Sequence, residues 1–582
     1  MTENIHKTIR QLAIKNALEH NGTAKFKAVL SMFLSNNVTY RSKVNEIKGI
    51  IIEILNEINS IPVKELESIY STFIIKPNEK KKNSEYKELP PLKDVDNFDK
   101  IIMRLAPYPS GPLHIGNARM AILNDYYVKR YNGKLILVFD DTIGSTVKNI
   151  IPEAYEMILD DLRYLNVEWQ DIIYKSDRIN KFYEYCKKLI ELDKAYVCTC
   201  EAQHWREKHK ITQKPCIHRS LDVNHNLDEW DKMLNNEYTM GEAVVRLKTG
   251  MKLRNPALRD HIIMRISNKI HPRVKDRYNV WPLLEFSWAI DDHLLDITHI
   301  LRGKDLVKED IIESKIWNIF GWTKAEFIHY GLISFKGIKL SKTEARIKIE
   351  KGVYNNWSDP RIWSIQSLKK RGILSKSIRK MILELGLSLA DIQFSSKNLY
   401  SINRSEIDHI ANRYFFITNP TIFTIKNIQK DNLNAKILLH PDFPERGYRE
   451  INLKSLYNEI KLYIDIKDAM KLDKNEILRL KDLINIKIID KKNYIAEFLS
   501  NGIDEFRDYV QKMKKRLKII HWLPINNNIS VDIIDVNGMI ISGIAEKNCN
   551  NLKVDQLIQF ERFGFCKIDK VEPKILAYFS HP

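Results

Sequence analysis

RLAPYPSGPLHIGN, residues Arg104 to Asn117, follows a short apolar run that ends at Leu105. After it, Ala118, Ala121, Ile122 and Tyr126 recur at helical spacing. Pro107, Pro109, Gly111 and Pro112 exclude regular structure between these two segments. Asn132-Gly133 stops the helix, and the apolar run Leu135 to Phe139 then ends in Asp140-Asp141. The order is therefore strand, tight loop, helix N-terminus, helix, strand. Such a βαβ unit suits a nucleotide, because glycine lets the ligand approach the backbone and the helix N-terminus favours phosphate. His114 is expected to donate a hydrogen bond to phosphate oxygens. An isolated His-x-Gly would signify no more than a β-α turn with a surface histidine, so the rest of the chain has to decide.

With 582 residues the chain is too long for one core and calls for roughly three to five domains. Its 44% hydrophobic and 29% charged residues are a globular composition. No apolar run approaches the ~20 residues of a membrane span. The start, MTENIHKTIRQLAIKNALEH, lacks the apolar core of a signal peptide, so a cytoplasmic protein with no membrane partner is expected. Lysine plus arginine number 93 against 74 acidic residues, a formal +19 that favours a polyanionic partner, although lysine-rich usage that is merely solvated would give the same number. Six cysteines are too few for a disulfide scaffold and point to thiols or metal ligands.

Residues 1–75 show helical periodicity, as in Ile47, Ile51, Ile54, Leu55 and Ile58, and 76–99 read as a charged linker. Asp140 and Asp141 stand at the C-terminal end of a strand, where carboxylates of a parallel sheet face the ligand crevice and can hold an ammonium group. Cys198-x-Cys200 and Cys216-x-His218, fifteen residues apart, offer four ligands in two close pairs, the donor set of a tetrahedral structural zinc; two buried thiols without metal are the alternative.

Further motifs fall in order. HIGN within PSGPLHIGNAR resembles the HIGH signature of class I aminoacyl-tRNA synthetases, and RLAPYPSG resembles their glutamyl/glutaminyl branch. KLSKT, Lys339 to Thr343, resembles the KMSKS loop of the same enzymes. NWSDPRIWSIQSLKKRGI, Asn356 to Ile373, is similar to a segment shared by glutaminyl and archaeal glutamyl enzymes. HPDFPERGYREI and VDQLIQFERFGFCKID resemble their C-terminal β-barrels, which read the anticodon. The chain thus resembles the archaeal type of glutamate-tRNA ligase from about Asp99 to its C-terminus. Three positions depart from the pattern: Asn117 stands for the second histidine, Val138 for an arginine, and Tyr108 for a small polar or acidic residue.

The resemblance implies a multidomain fold: an α/β Rossmann-like catalytic domain with an insertion, helical N-terminal and stem regions, and all-β C-terminal barrels. The catalytic halves are expected at 100–196 and 278–345, the acceptor-binding insertion at 197–277, the stem at 346–410 and the barrels at 411–582. It implies activation of glutamate by ATP with Mg2+, then transfer to the 3′-terminal adenosine of tRNA-Glu. Catalysis would fall to His114 and Lys342. ATP would be held by Pro107, Ser110, Gly111, His114, Ile115, Gly116, Asn117, Lys339, Ser341 and Lys342, and glutamate by Arg104, Asp140 and Arg302, since a guanidinium fork matches a carboxylate. Arg246, Lys248, Arg254, Arg259, Arg265 and Arg273 would supply charge for the tRNA acceptor end. The zinc site of some glutamyl enzymes is similar to the CxC…CxH cluster. A monomer is the default. Left open are charging of tRNA-Gln as well, a glutaminyl-tRNA synthetase, and a non-catalytic tRNA-binding relative.

Overall fold

The helix α3, Val44–Ile58, buries Ile47, Ile51, Ile54, Leu55 and Ile58, the stripe that its spacing dictates. It packs with α1, Thr2–Leu18, and α2, Phe26–Asn36, around Ile9, Ala13, Val29 and Phe33. Asn16 Oδ1 accepts from Lys25 N at 2.8 Å and Asn59 Oδ1 from Ala24 N at 2.7 Å, pinning the connection between the first two helices. The computed structural model describes residues 2–18, 22–36, 44–62, 65–66, 88–144, 149–513 and 517–582. It falls into two units, Met1–Tyr86 and Lys87–Pro582. Of the expected linker, 76–87 lie outside the described residues. The remainder is docked rather than free: Leu89 and Leu92 are buried, Tyr127 donates its hydroxyl to Pro90 O at 2.8 Å, and Arg130 donates to Leu89 O at 2.6 Å. Carbonyls that enter no ladder take side-chain donors here, which a reading of polarity alone misses.

The second unit opens with β1, Ile102–Leu105, the helix Ile115–Arg130, β2, Lys134–Phe139, and β3, Asp171–Tyr174, all three strands parallel. An antiparallel four-stranded sheet follows: β4, Ala195–Cys198; β5, Val244–Leu247; β6, Ile262–Ile266; β7, Val280–Pro282. The chain then returns in the helix Leu284–Leu294 and the parallel pair β8, His299–Gly303, and β9, Glu326–Tyr330. Thr298 N donates to Ile102 O at 2.9 Å and Ile102 N to Thr298 Oγ1 at 3.0 Å, which sets β8 beside β1. The two ladders, β1-β2-β3 and β8-β9, thus lie side by side in the spatial order β3-β2-β1-β8-β9, which reverses between β1 and β8, where open α/β sheets place their ligand crevice.

Val138 is 1% exposed and shares a core with Ile136, Phe182, Trp281 and Trp317. An arginine there would lose its solvation, so the departure at this position goes with an apolar face of β2. The stem holds the helices Ile365–Lys370, Ser375–Leu385 and Ser396–Ile407, and the helical run expected up to Ile410 is broken by a strand, Ile392–Phe394, that pairs with Ile333–Phe335. From Asn412 onward two seven-stranded sheets dominate. Tyr414, Phe415, Phe416 and Phe560 are buried in their cores. Among the described residues no helix is long and apolar enough to cross a membrane.

Candidate active site

His114 is the N-cap of the helix Ile115–Arg130. Its Nδ1 accepts from Asn117 N at 3.2 Å while its own N–H donates to Asn117 Oδ1 at 3.3 Å, a reciprocal capping box. An accepting Nδ1 leaves the ring proton on Nε2, so the imidazole presents a donor. Burial, with Lys342 beside it, holds the His114 pKa down to about 3, so the ring is neutral near pH 7. The spacing of Asn117, three residues beyond His114, was the sequence signal for this lock. Gly111 has φ +138°, and a Cβ there would lie 2.8 Å from the Trp357 ring, so only glycine lets the stem close on the loop. Below it, Asp161 Oδ2 accepts from Leu113 N at 2.6 Å, and burial pushes this carboxyl up to about 8. The signal for Asp161 was a carboxylate on the apolar face of the helix Ala154–Tyr164.

The two nucleotide motifs meet. Lys342 Nζ donates to Gly111 O at 3.1 Å. Ser341 caps the helix Lys342–Glu350, accepting from Glu344 N at 3.3 Å, and Lys339 pairs with Glu344 at 2.8 Å. A cavity of about 450 Å3 is lined by His114, Lys339, Leu340, Ser341 and Lys342 with Trp357 and Trp363 of the stem. Ile115 N donates to Trp363 O at 3.0 Å and its side chain is buried, so neither faces a ligand. Pro107 O accepts from Asp140 N at 3.2 Å and Ser110 N donates to Tyr108 O at 2.9 Å, holding the loop over the end of β2. A Cβ on Gly116 would stand 3.0 Å from the His114 ring.

Arg104, Asp140 and Arg302 lie in one buried cluster of charge. Arg104 grips Asp292 with both arms, Nε at 2.5 Å and Nη2 at 2.8 Å. Asp140 pairs with Lys175 at 3.2 Å, and Lys175 also donates to Ser287 Oγ at 2.8 Å; burial lowers the pKa of this ammonium. Arg302 donates to Glu313 at 2.8 Å and through Nε to Asp310 at 3.0 Å. Burial pushes the Glu313 carboxyl up to about 8. Arg302 is thus engaged by two carboxylates rather than presenting an open fork. Asp141 has a different part: it accepts from Ser176 N, Ser176 Oγ and Tyr155 Oη at 2.8–2.9 Å and braces the start of the next helix.

The ligand atoms of Cys198, Cys200, Cys216 and His218 all lie within 4.8 Å of one another. Thr199 Oγ1 lies 2.9 Å from His218 Nε2, which turns Nδ1 toward the Cys200 sulfur at 3.4 Å. Three sulfurs and one imidazole at this separation fit a tetrahedral ion. Two of the arginines expected on the tRNA face are internal: Arg246 stacks on Trp205 at 3.5 Å, and Arg259 donates to Leu253 O and Lys210 O at 2.7 Å each. Their positive charge is spent on folding the insertion.

Residues 100–409 match the family model described as "tRNA synthetases class I (E and Q), catalytic domain", and 411–501 and 519–569 match the anti-codon binding domain models of the same family. The chain belongs to the class I tRNA synthetases of the E and Q type. Among similar proteins, the glutamate-tRNA ligase of Methanocaldococcus jannaschii is 41% identical over 562 residues, 97% of each chain. The glutamate-tRNA ligase of Pyrococcus furiosus is 41% identical over 585 residues, 99% of this chain and 100% of the relative. A crystal structure of glutamate-tRNA synthetase from Elizabethkingia anophelis aligns with TM-score 0.40 and 20% identity, covering 54% of this chain and 72% of that one.

In this synthetase a histidine held neutral by burial makes stability fall on acidification. The folded state resists protonation that the unfolded chain accepts near pH 6.5, so stability is lost as pH falls from about 6.5 toward the folded pKa of about 3. His114→Asn keeps a helix cap and removes the titration. Its melting temperature should drop less steeply than that of the wild type between pH 6.5 and pH 4. Parallel curves would show that His114 is not held neutral.

Proposed function

We propose that this chain is a glutamate-tRNA ligase, which joins glutamate to ATP as glutamyl-adenylate and transfers the acyl group to the 3′-terminal adenosine of tRNA-Glu. The observation that carries the reading is the meeting of the PSGPLHIGN loop and the KLSKT segment at Gly111 and Lys342; the near-full-length similarity to glutamate-tRNA ligases supports the choice of amino acid. ATP enters as its magnesium complex. The α-carboxylate of glutamate attacks the α-phosphorus, and pyrophosphate leaves. His114 Nε2–H donates to a phosphate oxygen, and Lys339 and Lys342 neutralise the charge that grows on the leaving group. Asp140 holds the ammonium of glutamate, with Arg104 and Arg302 as the cations of the amino-acid pocket. No covalent enzyme intermediate forms; positioning and charge neutralisation supply the rate. The tRNA lies along the insertion and reaches the barrels with its anticodon. We place the enzyme in the cytoplasm as a monomer. Charging of tRNA-Gln as well would mark a non-discriminating enzyme.

His114→Ala and Lys342→Ala should each slow single-turnover adenylate formation by about 10²–10³-fold, the cost of one positioned donor at a developing charge, while tRNA affinity changes little. Rates near wild type would remove both residues from the chemistry.

Zinc is the ion proposed for the Cys198, Cys200, Cys216 and His218 cluster, where it would knit the insertion together without taking part in the reaction. Elemental analysis of protein purified without added metal should find close to one zinc per chain. Well under one ion per chain would leave four metal-free ligands.

A further inference from the structure

Trp288 lies on the helix Leu284–Leu294 and is 5% exposed. Three cations of the amino-acid pocket face its ring: the Arg104 guanidinium at 4.5 Å from the centroid, that of Arg302 at 5.0 Å, and Lys175 Nζ at 5.1 Å. Each cation already has its anion. Arg104 is held by Asp292, Lys175 by Asp140, and Arg302 by Asp310 and Glu313. The indole is thus a neutral plate around which like charges gather without touching, each gaining from the face of the ring. Among the described residues its Nε1–H, though buried, has no hydrogen-bond partner. The neighbouring hydroxyl, Ser287 Oγ, is committed: it donates to Leu284 O at 3.0 Å and accepts from Lys175.

A buried donor left unpaired is costly, and native structures rarely keep one unless a ligand or water completes it. Here the orphan stands amid the cations proposed to receive an amino acid that carries two carboxylates. We infer that Trp288 is a specificity-determining residue, whose Nε1–H donates a hydrogen bond to the side-chain carboxylate of the bound amino acid while the ring face holds Arg104 and Arg302 apart. The inference rests on the reading of this pocket as the glutamate site. It divides the work of recognition: paired arginines set a positive potential that is already largely neutralised, and the indole supplies a donor that no protein group competes for. A uniformly bound contact of this kind lowers KM for the amino acid and leaves kcat nearly unchanged.

Trp288→Phe separates the two parts, because phenylalanine keeps an aromatic face for the cations and lacks the N–H. In glutamate-dependent charging of tRNA, the full-length variant should show KM for glutamate raised about tenfold or more, as expected for loss of a hydrogen bond to a charged group. Its kcat should stay within about threefold and its KM for ATP should not move. A KM for glutamate within twofold of wild type overturns the inference, and would mean that a water or nothing completes the indole. Wild-type protein that fails to charge tRNA with glutamate defeats the underlying reading instead, whatever the variant does. Should Trp288→Phe fold poorly, 15N-indole NMR of the wild type puts the same question. One indole N–H resonance should move downfield on addition of glutamate and not on addition of ATP, and no such shift among the ten tryptophans overturns the inference.

Discussion

Two hydrogen bonds between His114 and Asn117 carry the geometry on which the rest of the site depends. They cap the helix that fills the first β-α connection, and in doing so they fix which imidazole nitrogen carries the proton. A helix N-terminus would ordinarily offer its own N–H groups to phosphate, yet here those of Ile115 and Asn117 are used to hold the stem and the cap. The side-chain donors gathered at this end of the loop are the Nε2–H of His114 and the lysines of the KLSKT segment. Asparagine in place of a second histidine fits this arrangement, because its side-chain Oδ1 accepts from the His114 backbone N–H within one turn, while its own backbone N–H donates to His114 Nδ1.

The sheet supplies the other half of the constraint. Strand order reverses between β1 and β8, so residues from both catalytic halves arrive at the same crevice: Arg104 from β1, Asp140 from the end of β2, Arg302 from β8. Burying that much charge is unfavourable unless each ion is partnered, and the structure meets the requirement pair by pair. Asp292 and Lys175 come from neighbouring segments for this purpose. Such pairing holds the cluster in a fixed shape, as the proposed reaction by positioning requires.

Much of this could be read from the amino-acid sequence because periodicity and punctuation are local. The Pro/Gly loop, the Asn132-Gly133 stop, the CxC and CxH pairs and the KLSKT segment each show within a few residues. What stayed hidden is long-range pairing of charge. Arg302 looks like an open fork in the sequence, yet its partners Asp310 and Glu313 lie on the next helix, where their spacing resembles any solvated face. Arg246 and Arg259 read in the sequence as part of an RNA surface, yet both turn inward, one onto Trp205 and one onto backbone carbonyls. Composition treats a buried arginine and a solvated one alike. The docking of Leu89 to Lys93 escaped for the converse reason, since two leucines and two prolines in a polar segment make no periodic pattern.

The central claim is that these buried cations make a site for glutamate and that the HIGN and KLSKT segments activate it for transfer to tRNA. Charging of purified tRNA-Glu with labelled glutamate, against labelled glutamine at equal concentration, tests it most directly. The account predicts that glutamate is transferred and that glutamine is rejected by at least about 100-fold in kcat/KM. Preferential transfer of glutamine, or no transfer of either amino acid by the folded chain, would contradict it.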